Sequence, residues 1–326
     1  MGKQAKATAV PERKTCPSTS PVTTRTDPPV RYTHARMEPT WAMAPGLYLP
    51  HKRGPRGRRE AIYSSPTATL TVAQWSSWGA DDLRLHLALL ALRGGDCRRL
   101  PPEPKTDLGR TLRQELLPHA SSPNPAHAQD AVTVRTTFRE LARIMGVGEG
   151  GSALAHIRER LRDAARSTFE VQIQEGQHHI LASAGTPIAF AVDETTGQVV
   201  VALHPWLARV LLHRAQHVLV SMEHMRMLSG DVAPLLLVHL TAWVRPGQKR
   251  VVGLDTLAEH VYGSAANTPD ERSDRRAAIR RALDQIGVLP NWRIDCAAPA
   301  KSGAPQVRIT RRRVRRRAKR QPIKHD

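Results

Sequence analysis

Four glycines within six residues, Gly146-Val-Gly-Glu-Gly-Gly151, constrain this chain more than any other feature. Each glycine costs a helix ~1 kcal/mol relative to alanine, so the chain must turn there. Before the turn, Phe138, Leu141, Ile144 and Met145 recur at helical spacing and predict a helix over 137–145. After it, Ser152 can cap a second helix running to Arg166, with Leu154, Ile157, Leu161, Ala164 and Ala165 on one face. Strand-like runs at 169–173, 180–183, 187–192 and 199–203 follow, with a hairpin turn at Thr196–Gly197, and predict one small antiparallel sheet.

The same order returns roughly 120 residues later. Leu254–Val261 reads as a helix with Asp255 in its first turn, 263–269 as a polar turn, and Asp270–Ile286 as a long basic helix. Strands at 292–296 and 306–310 close the unit. The architecture repeats; the sequence hardly does. The predicted fold class is therefore α+β: two winged-helix units (helix-turn-helix plus hairpin) in tandem, at 41–205 and 206–310. Disordered basic arms are expected at 1–40 and 311–326. Supporting helices are expected at 80–92, 206–216 and 222–244, the last interrupted near Ser229–Gly230 and Pro234. Short strands are expected at Val132–Val134 and His217–Ser221. The composition of 41–59 leaves open an ordered or a mobile arm, and the proline-bearing stretch 98–130 includes a loop at Ser121–Asp130.

The net charge is +20 and the pI about 11.1. Residues 1–60 carry 12 Lys and Arg against 4 acids, and residues 311–326 carry 9 against 1. The middle is an ordinary folded region; the ends are basic. Such a balance calls for a polyanionic partner, nucleic acid or an anionic membrane surface. No apolar run approaches the ~18 residues of a spanning helix, and no secretory signal follows Lys3 and Lys6. Cys16, Cys97 and Cys296 form neither a metal-binding spacing nor an even disulfide set, so a reducing cytoplasm is expected.

A helix-turn-helix sets its second helix into the major groove of duplex DNA, where base edges can be read. In the first unit His156, Arg160, Arg162 and Arg166 are expected on the outer face. In the second, Arg280 and Arg281 lie off the Ile279/Leu283/Ile286 face, and Arg272, Arg275 and Arg276 sit near the start. Arg308 on the last strand and Arg311, Arg312 and Arg313 at the head of the tail complete the candidate DNA contacts. The run 311–320 would add salt-sensitive, sequence-independent grip, and Lys52, Arg53, Arg56, Arg58 and Arg59 could follow the backbone in the same way. One helix with arginines outside is ordinarily a solvated surface. Two such units with hairpins and basic arms turn the balance towards DNA.

Signs of catalysis are missing. There is no phosphate-binding Gly-x4-Gly-Lys loop. His178–His179 lacks the spacing of a nicking enzyme, and Tyr32, Tyr48, Tyr63 and Tyr262 have no paired histidines in sequence. Asp81–Asp82 reads as the cap of the Leu83 helix rather than a metal site. Aromatic residues are only 4%, so a stacking platform for single strands is poorly supported, and the six tryptophans read as core. The chain is therefore expected to be neither an enzyme nor a binder of metal or cofactor.

A series of fragments runs in order along the chain: Ala44-Pro-Gly-Leu47, Lys52-Arg-Gly54, Gly79-Ala-Asp-Asp-Leu-Arg84 and Pro102-Glu-Pro-Lys-Thr106. Gly151-Ser-Ala-Leu-Ala-His-Ile157, Gln216-His-Val218, Ser221-Met222, Trp243 before Pro246-Gly247, and Leu254-Asp-Thr-Leu257 continue it. Over roughly 44–310 the chain resembles the iteron-binding replication initiators, protein C, of IncQ-type broad-host-range plasmids. The resemblance implies binding to direct repeats (iterons) in double-stranded origin DNA, opening of adjacent AT-rich duplex, and loading of a plasmid helicase and primase. It also implies monomeric binding with a homodimeric, inactive or autoregulatory form. A winged-helix transcriptional repressor is the alternative that the residues alone leave open.

Overall fold

The structure is a computed structural model and describes residues 33–51, 56–65, 68–92, 97–118, 124–175, 178–297 and 305–313. Most of the expected N-terminal extension and all but the first three residues of the Arg-rich tail lie outside these residues, as do Lys52 and Arg53.

The described chain opens with strand β1 (His34–Met37) and the short helix α1 (Pro39–Met43), whose start Glu38 caps by accepting the Trp41 N–H. A hairpin follows, β2 (Arg59–Ser64) and β3 (Ala68–Gln74), then α2 (Ala80–Ala91), β4 (Cys97–Leu100) and α3 (Asp107–Leu116). The first copy of the repeated order is β5 (Ala131–Thr137), α4 (Phe138–Met145) and α5 (Gly151–Arg166). Four strands come next: β6 (Thr168–Glu175), β7 (His178–Gly185), β8 (Ile188–Asp193) and β9 (Gln198–Leu203). Helix α6 (Pro205–Leu211), strand β10 (Val218–Ser221) and helices α7 (Met222–Met227) and α8 (Val232–Trp243) lead to the second copy. That copy is β11 (Lys249–Gly253), α9 (Leu254–Tyr262), α10 (Pro269–Gly287), β12 (Trp292–Ala297) and β13 (Gln306–Arg311).

The two copies share a topology. Each has a strand, two helices and a closing hairpin, with β6 and β7 inserted before the hairpin in the first, and in each antiparallel sheet the last strand lies between the other two: β5-β9-β8 and β11-β13-β12. The first sheet gains β4 beside β5. The one sheet expected after α5 is in fact divided. β6 and β7 join β2 and β3, because Phe169 and Val171 pair with Val72 and Leu70 and all four are buried.

Other differences have local causes. The ordered chain starts before residue 41: β1 pairs with β10, which buries Ala35 and Met37. The helix expected over 206–216 stops at Leu211, and His213 takes a positive φ of 58°. Pro234 does not interrupt α8; it sits in the first turn, where its missing N–H has no helical partner to lose. Ser152 does not cap α5. Gly150 holds the cap position, and no side chain satisfies that end. Thr106 caps α3 by accepting from Gly109 N, a helix that the prolines around it concealed.

Helix α2 is central. Leu83, Leu85, Leu87, Leu89 and Leu90 are all buried, and burial of a leucine contributes about 1.5–3 kcal/mol. One hydrophobic core runs from Ala35 through α2, α5 and α8 to Ile309, so both copies share it. A smaller cluster lies under α3, built from Leu100, Leu112, Leu116, Ala189 and Ala202. The second copy also touches the segment after α1 backbone to backbone. Gly46 (φ +63°) and Gly263 (φ +74°) approach so closely that a Cβ on Gly46 would lie 2.5 Å from the Gly263 Cα. Gly263 ends α9, so this contact fixes where the turn into α10 leaves the core.

Candidate nucleic-acid interface

Each candidate groove helix follows a first helix that ends on a left-handed glycine, Gly146 or Gly263, and each is held by charge. Thr137 caps α4, and Gly146 ends it with φ 76°. Arg158 of α5 reaches Glu194 in the β8–β9 turn at 2.8 Å and so ties the helix to its hairpin. His156 lies 3.3 Å from Asp81 at the start of α2; this hydrogen bond is the main reason that the Asp81 carboxyl is held below its usual range. His156 is therefore a half-buried strut between helices rather than a free outer-face group.

Arg160 departs furthest from expectation. It is 6% exposed and does not lie on the outer face. Its guanidinium contacts Asp163 at 3.0 Å, Glu159 at 3.1 Å and Ser76 Oγ at 3.4 Å. The Ser76 hydroxyl donates to Asp163 at 2.6 Å, and Ser167 donates to the Asp163 carbonyl at 2.7 Å. The residues that cover this side of α5 come from the loop after β3, which helical spacing could not show. Arg162 and Arg166 remain exposed as expected, on a stripe with Gly151, Ala155 and Glu159. A Cβ at Gly148, Gly150 or Gly151 would meet nothing within 4 Å. The N-terminal half of the exposed face is thus small and open.

In α10, Thr268 accepts from Glu271 N, and the Glu271 carboxylate accepts from Asn267 N at 2.8 Å. That backbone bond leads the causes that hold the Glu271 carboxyl low. Arg275 pairs with Glu271 at 2.5 Å, donates to the Ser264 carbonyl and lies over the Tyr262 ring at 4.5 Å. Arg276 forms a two-bonded pair with Asp255 of α9, both at 2.6 Å, which keeps the Asp255 carboxyl low. These two arginines brace the helix pair. Arg272, Arg280 and Arg281 are exposed, and Arg280 borders an open cleft against the β12–β13 hairpin with Arg293 and Arg312.

On the second sheet Arg308 is exposed and stands between Val251 and Asp295. Arg311 does not open a loose tail. It ends β13, is half-buried, donates to the Thr241 and Val244 carbonyls at 2.8 and 3.1 Å, and lies over the Trp292 ring. It closes the C-terminal end of α8, whose last carbonyls lack helical partners. Arg312 and Arg313 are exposed.

The Asp81–Asp82 pair does begin α2. Asp82 accepts from Gly79 N at 2.7 Å and from Arg56 at 2.6 Å, though burial raises its pKa overall. Arg56 is therefore committed to the fold, and Arg59 donates to the Gly46 carbonyl. Sequence reasoning missed Trp75. Four tryptophans, Trp41, Trp78, Trp206 and Trp292, are buried, but Trp75 is 39% exposed with two arginines over its ring. Its position directly after a strand that ends in Gln74 was the one available signal. Among the described residues no helix is long and apolar enough to cross a membrane, and no group of three or more His, Cys, Asp or Glu could hold a metal ion.

Strand–helix–helix–strand–strand units on a shared core, with exposed arginines on the second helix of each, define a class of protein suited to a polyanion. The chain matches the replication protein C (RepC) family over residues 30–304, and it belongs to that family of replication initiators. No curated protein sequence matches it. Among solved structures, selenomethionine crystals of domains 2 and 3 of RctB align with a TM-score of 0.51 at 13% identity, covering 84% of this chain and 99% of that one. A second structure of RctB domains 2–3 gives 0.50 at 12% identity, covering 84% and 97%. At such identity the likeness is one of fold.

Proposed function

We propose that this chain is a plasmid replication initiator that binds iterons in duplex origin DNA through two winged-helix units. The duplicated topology carries the reading: α5 and α10 occupy the recognition position, and the β8–β9 and β12–β13 hairpins the wings. Each helix presents exposed arginines with no carboxylate partner among the described residues, Arg162 and Arg166 on one and Arg272, Arg280 and Arg281 on the other. Two such helices suit successive major grooves on one face of the duplex, ~34 Å apart. Residues 41–205 and 206–310 form the two units, with the charge of the chain ends adding non-specific grip.

In this reading the protein acts by binding rather than catalysis. It favours opening of neighbouring AT-rich duplex and loading of helicase and primase in the cytoplasm, and a homodimer is its autoregulatory form. Footprinting on the cognate plasmid origin tests the central step. Protection of direct repeats supports it, and protection confined to a promoter would make the chain a transcriptional repressor. No protected repeat at all would end the proposal.

A further inference from the structure

We propose that Trp75, Arg58 and Arg166 form a phosphate clamp that grips the duplex backbone beside the groove occupied by α5. The inference rests on the proposed docking of α5 and assigns a contact outside the groove. The Arg58 guanidinium lies 4.1 Å from the Trp75 ring centroid, and that of Arg166 5.3 Å. Both arginines are exposed, and among the described residues neither has an acidic partner. Four neighbouring arginines are committed within the fold: Arg56 to Asp82, Arg59 to Gly46, Arg158 to Glu194 and Arg160 to Asp163.

The backbone that carries the ring is fixed. The Trp75 main-chain N–H donates to Ser167 Oγ at 3.0 Å, and the next residue, Ser76, is locked into the buried Arg160–Asp163 pair. An exposed indole anchored in this way holds two long side chains, 108 positions apart in sequence, in one place. That lowers the entropy cost of presenting them together. With guanidinium groups over the ring, it serves as a platform for cations and leaves less room for a stacked base.

Geometry selects phosphate over base edges. Helix α5 has 16 residues, about 24 Å of length, against a major groove ~12 Å wide. With its small, open N-terminal half in the groove, its C-terminal end overshoots onto the flanking backbone. Arg166 is the last residue of α5 and Trp75 adjoins it. Contacts there neutralise phosphates and carry little sequence information.

The test measures anisotropy of the full chain on a duplex of the origin repeats, a random-sequence duplex and a poly-dT strand, across a salt series. Variants are Arg58→Gln with Arg166→Gln, Trp75→Ala and Trp75→Phe, with thermal melting as a check on folding. The double variant should lose affinity equally on both duplexes and flatten the salt slope by ~2. Trp75→Ala should flatten it by about half as much, and Trp75→Phe should restore the wild-type slope. A wild-type slope in the double variant overturns the clamp. So does a loss confined to the repeat duplex, or a Trp75→Ala loss confined to poly-dT. If the wild type binds both duplexes equally while the slopes shift as stated, the clamp stands and iteron recognition falls.

Discussion

Helices α5 and α10 hold the same place in the same order of strands, yet they spend arginine differently. In α5 the middle arginine, Arg160, is buried on Asp163, and the exposed arginines, Arg162 and Arg166, sit towards the C-terminal end. In α10 the arginines near the start, Arg275 and Arg276, are bound to Glu271 and Asp255, while Arg272, Arg280 and Arg281 stay outside. The starts differ too: α5 begins on glycines with no side-chain cap, whereas α10 begins on Thr268 with Glu271 answering it. Counting arginines on a helix therefore overstates the charge it can offer a groove. A guanidinium near the core takes a partner, a carboxylate for Arg160 and carbonyls for Arg311, because an unpaired buried charge is costly.

Acid should separate the regions around the two copies most strongly. Burial lowers His86 of α2 to about 4 and His204, just before α6, to about 3, and His260 of α9 to about 4 and His239 of α8 to about 2. The unfolded chain titrates near 6.5 and binds these protons first, so stability is full above pH 6.5 and falls as pH drops from there towards 4. Each buried histidine should cost about 2 kcal/mol by pH 5. The His239 and His260 ring centroids lie 3.4 Å apart, where two charges would repel, so amides of α8 and α9 should lose hydrogen-exchange protection before those of α2. Simultaneous loss would show that the shared core makes both copies one cooperative body.

Arg160→Ala should destabilise the first copy by about 3–5 kcal/mol in urea unfolding, since it strands Asp163. Unchanged stability with relaxed sequence preference would return Arg160 to the groove. Next in size, Arg162→Ala and Arg281→Ala should each weaken origin binding by about 1–3 kcal/mol, measured against repeats altered one base at a time. Loss of preference in only one variant would show that one copy reads bases and the other merely grips. The smallest effect is expected for Arg276→Ala. Its pair with Asp255 is partly exposed, so the stability change should stay within about 1 kcal/mol, with DNA preference intact.

The helices were the most legible part of the fold. Periodicity placed α2, α4, α5, α9 and α10 within a residue or two of their ends, because their apolar faces pack on one core. Strands were read where turn residues marked them, such as Gly197 between β8 and β9. β4, β11 and the division of the sheet after α5 escaped because pairing partners lie far away in sequence, and the local β2–β3 hairpin escaped as well. Of the candidate contacts, Arg162, Arg166, Arg272, Arg280, Arg281, Arg308, Arg312 and Arg313 are exposed where they were expected. His156, Arg160, Arg275, Arg276 and Arg311 are engaged within the fold, and Trp75 was read as core.

By itself the sequence determined the repeated helix–turn–helix order, the glycine-bearing turns between the helices, the basic bias of the two ends, and membership of the replication protein C family. These rest on local spacing, or on fragments ordered along the chain. Tertiary structure decided which arginines are free. Arg160 meets Ser76 across 84 residues, and Arg276 meets Asp255 across 21. Helical spacing says which side of a helix a residue occupies, but only the packed neighbours decide whether that side meets solvent or a carboxylate.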